Sequence, residues 1–189
     1  RWEPSGGSDT VGRTTAVLEH VRSAQSHEMR RESDAAIKHY ELALALDPDV
    51  AQVHVNLGEL LGRTGRGKEA LRHFHDAIRL EPYLDQGLNA MAWFLATHPD
   101  PALRDGERAV EYAVRACEVT SYRNPLWLDT LAAALAEAGR FKAAVVNQHR
   151  AIFLAGYTGH EVEVPAMRRQ LDLYRNGMPY REHPDPAGQ

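Results

Sequence analysis

The sequence predicts an all-α protein, a right-handed α-solenoid of repeated helical hairpins with a C-terminal capping helix. The main observation is an internal repeat of 34 residues, in which Ala36, Tyr40, Ala43, Leu46 and Pro48 recur as Ala70, Phe74, Ala77, Leu80 and Pro82. That period is typical of helical solenoids. Apolar residues within each repeat also follow the spacing of amphipathic helices. Because one hairpin cannot bury its apolar face alone, neighbouring hairpins must stack, and such stacking usually creates a binding surface.

Composition limits the classes of function that the chain can have. Its 189 residues are 43% apolar and 25% charged, which is typical of globular proteins. The net charge of -4 gives no basic footprint for a nucleic acid. No apolar stretch approaches the length of a membrane-spanning helix, so we expect no direct membrane insertion. Cys117 is the single cysteine, which excludes an intrachain disulfide and leaves the compartment open.

The start of the chain is rich in proline, glycine and serine, so we expect residues 1–13 to form a linker or to be disordered. We also expect the sequence to be part of a longer protein. The first helix should begin near Thr14, although its apolar positions match the repeat poorly. The second should run from Ser33 to Leu46, with Ser33 or Asp34 available as its cap. Together they form a degenerate first repeat.

Residues 51–84 form the clearest repeat, in which we expect Leu57, Leu61 and the recurring residues Ala70, Phe74 and Ala77 to be buried. Gly58 should allow close helix approach, and Gly65 should supply the turn. The third repeat carries an insertion at residues 97–106, whose two prolines predict an exposed, protruding loop. The fourth begins at Pro125, so residues 14–156 hold about four repeats.

After Gly156 the period fails, and residues 157–178 predict a capping helix. Its apolar stripe contains Met167, Leu171 and Tyr174, which should cover the open end of the last repeat. Residues 179–189 should form an extended or disordered tail.

The motif His54-x-x-Leu57-Gly58-x-x-Leu61, followed by Ala70-x-x-x-Phe74 and Pro82, resembles the signature of the tetratricopeptide repeat. Only the tryptophan and tyrosine of the first half of that signature are replaced. Other segments, including the Asn89–Thr97 stretch and the Leu173–Arg181 ending, resemble a bacterial-type array of this family. The resemblance implies a concave groove that is lined by the first helix of each hairpin, and a role in binding proteins or peptides.

The polar face of these first helices supplies the candidate partner-binding residues. Asn56 and Asn89 carry amides that can pair with a peptide backbone, and Trp93 can act as an apolar anchor. The alternatives are that the polar residues are merely solvated and that Trp93 packs against the next hairpin. The chain lacks the lysines of the clamp with which some members bind a terminal carboxylate, so we do not expect chaperone-tail binding. The full set is Gln52, Asn56, Glu59, Arg63, Gln86, Asn89, Trp93, Asp129, Thr130 and Glu137.

No pattern of residues predicts catalysis, a cofactor or a metal site. His73 and His75 lie two residues apart and would point to different faces of a helix. The glycines of Gly62–Lys68 lie in a turn between helices and lack the strand that precedes a phosphate-binding loop. We therefore expect a non-catalytic scaffold that binds a peptide segment or partner protein. Two alternatives stay open: a docking domain of a larger enzyme, and a module that self-associates through its solenoid ends.

Overall fold

The computed structural model describes residues 7–182, and within this range every regular element is a helix. The predicted all-α class is confirmed. The α-helices are α1 (Gly7–Met29), α2 (Ser33–Leu46), α3 (Ala51–Arg63), α4 (Gly67–Leu80), α5 (Asp85–Thr97), α6 (Gly106–Val119), α7 (Pro125–Glu137), α8 (Phe141–Ala155) and α9 (Val164–Arg175), and a short 3-10 helix spans Pro101–Leu103. None of the helices described is long and apolar enough to cross a membrane.

The described residues divide into two compact units, residues 7–80 and residues 81–182. In the first unit α1 packs on α2, α3 packs on α4, and α2 contacts α3. The predicted core residues are buried, among them Leu57, Leu61 and Phe74. A Cβ atom at Gly58 would lie 2.6 Å from the Phe74 ring, which confirms that this glycine permits close helix packing. Gly65 forms the turn with a φ of 80°.

The second unit contains two further hairpins and the last helix. Helix α5 packs on α6, and both contact α7, which pairs with α8; α9 covers α8. Pro125 occupies the first turn of α7, as predicted. Met167, Leu171 and Tyr174 are all buried, as the apolar stripe predicts. Residues 178–182 follow α9 without regular secondary structure.

Several segments differ from their prediction. The capping helix is shorter than the predicted residues 157–178, because residues 157–163 form turns and α9 ends at Arg175. Helix α1 already begins at Gly7, so the predicted linker is wrong for residues 7–13, whereas residues 1–6 lie outside the described part of the chain. Composition pointed to a linker there, but an existing helix gains one backbone hydrogen bond for each residue added. Further along α1, the Thr15 hydroxyl donates to the Val11 carbonyl at 2.9 Å. Helix α2 begins at Ser33 without a side-chain cap, so neither predicted residue caps it.

The inserted loop after α5 is only partly exposed. Pro99 to Ala102 face solvent, as predicted, but Thr97 and His98 are buried. The Arg104 guanidinium stabilises the loop, since it donates to the His98 carbonyl at 2.8 Å and to the Pro99 carbonyl at 3.0 Å. The insertion thus forms a folded turn that is fixed at its base.

Candidate partner-binding site

Helix α3 places four predicted residues of the first unit on one face, because Gln52, Asn56, Glu59 and Arg63 are spaced by three or four positions. The Gln52 side-chain nitrogen donates to the Asn56 side-chain oxygen at 2.9 Å. Glu59 and Arg63 are exposed. The hydrogen bond joins two of the four side chains, and a role of this face in binding a partner stays a prediction.

A glutamate of α1, which the repeat pattern did not predict, completes this face. Glu28 accepts a hydrogen bond from the Tyr40 hydroxyl at 2.7 Å and pairs with the Arg63 guanidinium at 2.5 Å. Burial, together with the neighbouring Glu28 carboxylate, raises the pKa of Tyr40 well above its usual value. A signal was present in the repeat: Tyr40 stands where the next repeat has Phe74, and a buried hydroxyl requires a polar partner.

Helix α5 carries three predicted residues of the second unit. Gln86 is exposed, whereas Asn89 and Trp93 are half-buried. The Asn89 side-chain oxygen is buried and has no hydrogen-bond partner among the described residues. The Trp93 ring lies 5.7 Å from the Tyr180 ring, measured between centroids. Trp93 therefore contacts residues that follow α9 rather than solvent alone.

Two predicted residues of α7 do not form a free binding surface. Thr130 is only 3% exposed, so its side chain belongs to the core. Asp129 and Thr130 are consecutive, and consecutive residues of a helix point in directions about 100° apart. The half-buried Asp129 accepts from the Gln148 amide at 2.5 Å, and the Gln170 amide lies beside the same carboxylate. Burial raises the pKa of Asp129 to about 6, although both amides oppose this shift.

The buried amide of Gln148 explains why Asp129 turns inward. Gln148 is the eighth residue of α8, the place that Phe74 holds in α4, and it is fully buried. Its nitrogen also donates to the Met167 carbonyl at 3.0 Å, beneath α9. A glutamine at an aromatic position of the repeat was the sequence signal for a buried polar partner.

Glu137, the last predicted residue, joins two arginines. Its carboxylate accepts from Arg104 at 3.0 Å and pairs with Arg181 at 2.5 Å. The Glu137 side chain is only 14% exposed, so these pairs are well shielded from water. Arg181 lies in the segment that was predicted to be an extended or disordered tail. The described part of that segment is extended, and it is held in place.

Backbone contacts also hold residues 178–182, which we call the tail segment. The Glu182 amide donates to the Thr97 carbonyl at 2.9 Å, and the Arg181 guanidinium lies 3.5 Å from the Ala96 carbonyl. These carbonyls belong to the last turn of α5, where a helix leaves its acceptors unpaired. Residues 183–189, the rest of the predicted tail, lie outside the described residues.

Residues 32–65 of this chain match the family described as TPR repeat. Over those 34 residues the chain is similar to a tetratricopeptide repeat. Among solved structures, one from a functional characterization of Pseudomonas aeruginosa PilF is 19% identical to this chain and has a TM-score of 0.67. The match covers 88% of this chain and 78% of the PilF chain. The structure of the MamA protein is 14% identical with a TM-score of 0.61, and the match covers 86% of this chain and 89% of the MamA chain. At these identities the likeness concerns the fold. No curated protein sequence matches the chain.

Other polar groups form hydrogen bonds within the first unit. Residues 7–182 contain no cluster of three or more His, Cys, Asp or Glu side chains that could hold a metal ion. His54 and His73 pair through their Nδ1 atoms at 2.9 Å, and His54 Nε2 donates to the Pro48 carbonyl at 3.0 Å. Proteins built on this repeat typically act as non-catalytic interaction scaffolds and generally mediate protein–protein interactions.

Proposed function

We propose that the chain is a non-catalytic scaffold that binds a peptide segment or partner protein on the faces of its first helices, α1, α3, α5 and α7. The observation that carries this proposal is the tail segment, an extended stretch of chain that lies on residues predicted to bind a partner. Trp93 contacts the Tyr180 ring, and Glu137 pairs with Arg181. Side chains that hold an extended segment of their own chain are chemically suited to an extended segment of another.

The face of the first unit supports the same function with different chemistry. Gln52 and Asn56 offer side-chain amides that can both donate to and accept from a peptide backbone. The Glu28–Arg63 pair beside them is partly exposed and offers both signs of charge. We expect these polar groups to orient a partner at the first unit, and we expect Trp93 to serve as an aromatic anchor at the second unit, because anchors of that kind dominate most interfaces.

Affinity capture from a lysate of the source cells tests the proposal. The wild-type chain is compared with Trp93→Ala and Asn56→Ala, and with Lys142→Ala as a control at an exposed position of α8, a second helix. A partner that binds through these faces should be captured by wild type and Lys142→Ala and should be depleted about tenfold or more with Trp93→Ala. Circular dichroism must show unchanged helicity. Identical captures by all four proteins would contradict the proposal.

A further inference from the structure

Three consecutive residues of the tail segment contact α5 and α7, each through a different type of interaction. The Tyr180 ring packs on Trp93, the Arg181 guanidinium pairs with Glu137, and the Glu182 amide donates to a carbonyl of α5. Tyr180 and Arg181 are half-buried by these contacts, whereas Met178 remains 48% exposed. An aromatic residue followed directly by an arginine is therefore the pair of side chains that this surface engages.

The arginine position has two acceptors that favour a guanidinium over other groups. One Glu137 oxygen is paired with Arg104, and the other lies 2.5 Å from Arg181. The same guanidinium approaches the Ala96 carbonyl at the C-terminal end of α5, where the helix dipole is negative. A guanidinium has five donors in a rigid plane and can serve both acceptors, whereas an ammonium group acts as a point charge.

The tail segment has the properties of an occupant that can be displaced. It joins α9 through Gly177, whose φ of 69° marks a change in chain direction. Its five residues lie outside the helices and Met178 is 48% exposed, so the tail segment can leave without unfolding a helix. Because it is tethered next to its site, its effective concentration there is about millimolar.

We propose that the surface formed by Trp93, Ala96, Thr97 and Glu137 recognises an extended peptide of a partner protein in which an aromatic residue is followed directly by arginine. The tail segment is its intramolecular competitor and must leave before the partner binds. This inference rests on the proposed function, since it names the chemistry of the ligand for one of the proposed faces.

The test uses the full 189-residue chain and a fluorescein-labelled peptide, MPYRE, that copies residues 178–182. Binding is measured by fluorescence anisotropy to wild type and to the double variant Y180A/R181A, which frees the surface. We expect the double variant to bind MPYRE about tenfold more tightly than wild type, because the tethered tail no longer competes. Tyr83→Ala, at an 80% exposed position, serves as the control and should behave as wild type.

Altered peptides test the two side chains separately. MPARE, MPYQE and MPYKE should each bind the double variant about tenfold less tightly than MPYRE. Adding Glu137→Gln to the double variant should abolish its preference for MPYRE over MPYQE, as a double-mutant cycle would report. Circular dichroism melts of all variants show whether they remain folded.

Equal binding of MPYRE to wild type and the double variant would overturn the competition. No preference for MPYRE over MPYQE, or an arginine preference that survives Glu137→Gln, would overturn the recognition. If the double variant fails to bind MPYRE while a partner is still captured in a Trp93-dependent manner, the peptide chemistry is wrong and the scaffold function stands. If both fail, the proposed function is wrong as well.

Discussion

Gly106 offers a quantitative test of the packing that positions Glu137. It is the first residue of α6 and lies directly against the end of α7. A Cβ atom at Gly106 would lie 2.6 Å from the Ala138 amide nitrogen and 2.8 Å from the Glu137 carbonyl carbon, closer than side chains and backbone approach in proteins. Because both atoms belong to the backbone, Gly106→Ala must displace one helix relative to the other.

The size of the effect follows from two opposing terms. Overpacking lowers the free energy of unfolding by about 1–3 kcal/mol, and the better helix propensity of alanine offsets less than about 1 kcal/mol of this loss. We therefore expect a net loss of about 1–2 kcal/mol in the free energy of unfolding. In a protein of this size, each kcal/mol lowers the melting temperature by about 2–4 °C, so the expected decrease is about 2–8 °C.

Thermal and urea unfolding, followed by circular dichroism, measure this loss. The matched control is Gly156→Ala, because a Cβ atom there would lie 3.6 Å from its nearest neighbour, an ordinary contact. We expect the control to stay within about 0.5 kcal/mol of wild type. In Gly106→Ala, displacement of Glu137 should also weaken the preference for arginine-containing peptides. A Gly106→Ala protein that melts at or above the wild-type temperature would refute the packing argument.

Three further predictions concern titration and reactivity. Burial and the neighbouring His54 lower the pKa of His73, so acidification below about pH 6.5 should destabilise the protein, because the unfolded chain binds the proton more readily. Between pH 7.5 and 5.5 the melting temperature of His73→Gln should decrease by less than that of wild type. Equal decreases would contradict this reasoning. The pKa of Asp129 is raised to about 6, so its contribution to stability should fall as pH rises from about 4 to 6. The melting temperature of Asp129→Asn, measured relative to that of wild type, should therefore rise across this pH range. A difference that stays constant with pH would contradict the raised pKa of Asp129. Cys117 is fully buried with its pKa raised to about 12, so a thiol reagent should modify it only after unfolding, and rapid labelling of the native protein would be inconsistent with that burial.

The repeat pattern predicted the core because each repeat places the same residue types at the same crossing points. Alanines at the closest crossings, such as Ala36 and Ala70, are completely buried. Leu57 and Phe74 fill the larger spaces between them. Periodicity specifies which positions of a helix share a face, and apolar burial then selects the inward face.

The candidate site could be predicted only in part, because periodicity relates residues of one helix and does not relate residues of different helices. Four residues of α3 do share a face, since they belong to one helix. In contrast, Asp129 and Thr130 were misplaced, because the buried Gln148 draws the Asp129 carboxylate inward and Thr130 lies in the core. Glu28 was missed because its partners Tyr40 and Arg63 lie 12 and 35 residues away.

The amino-acid sequence by itself determined the helical class, the repeating hairpin and most of the buried positions, because these depend on local periodicity and on the apolar character of single residues. Only the tertiary structure decided what covers the faces of the first helices. The ion pair between Glu137 and Arg181 joins residues 44 positions apart, and the Trp93–Tyr180 contact spans 87 positions. Contacts at such separations depend on the direction in which the chain leaves α9, and no local pattern of residues encodes that direction.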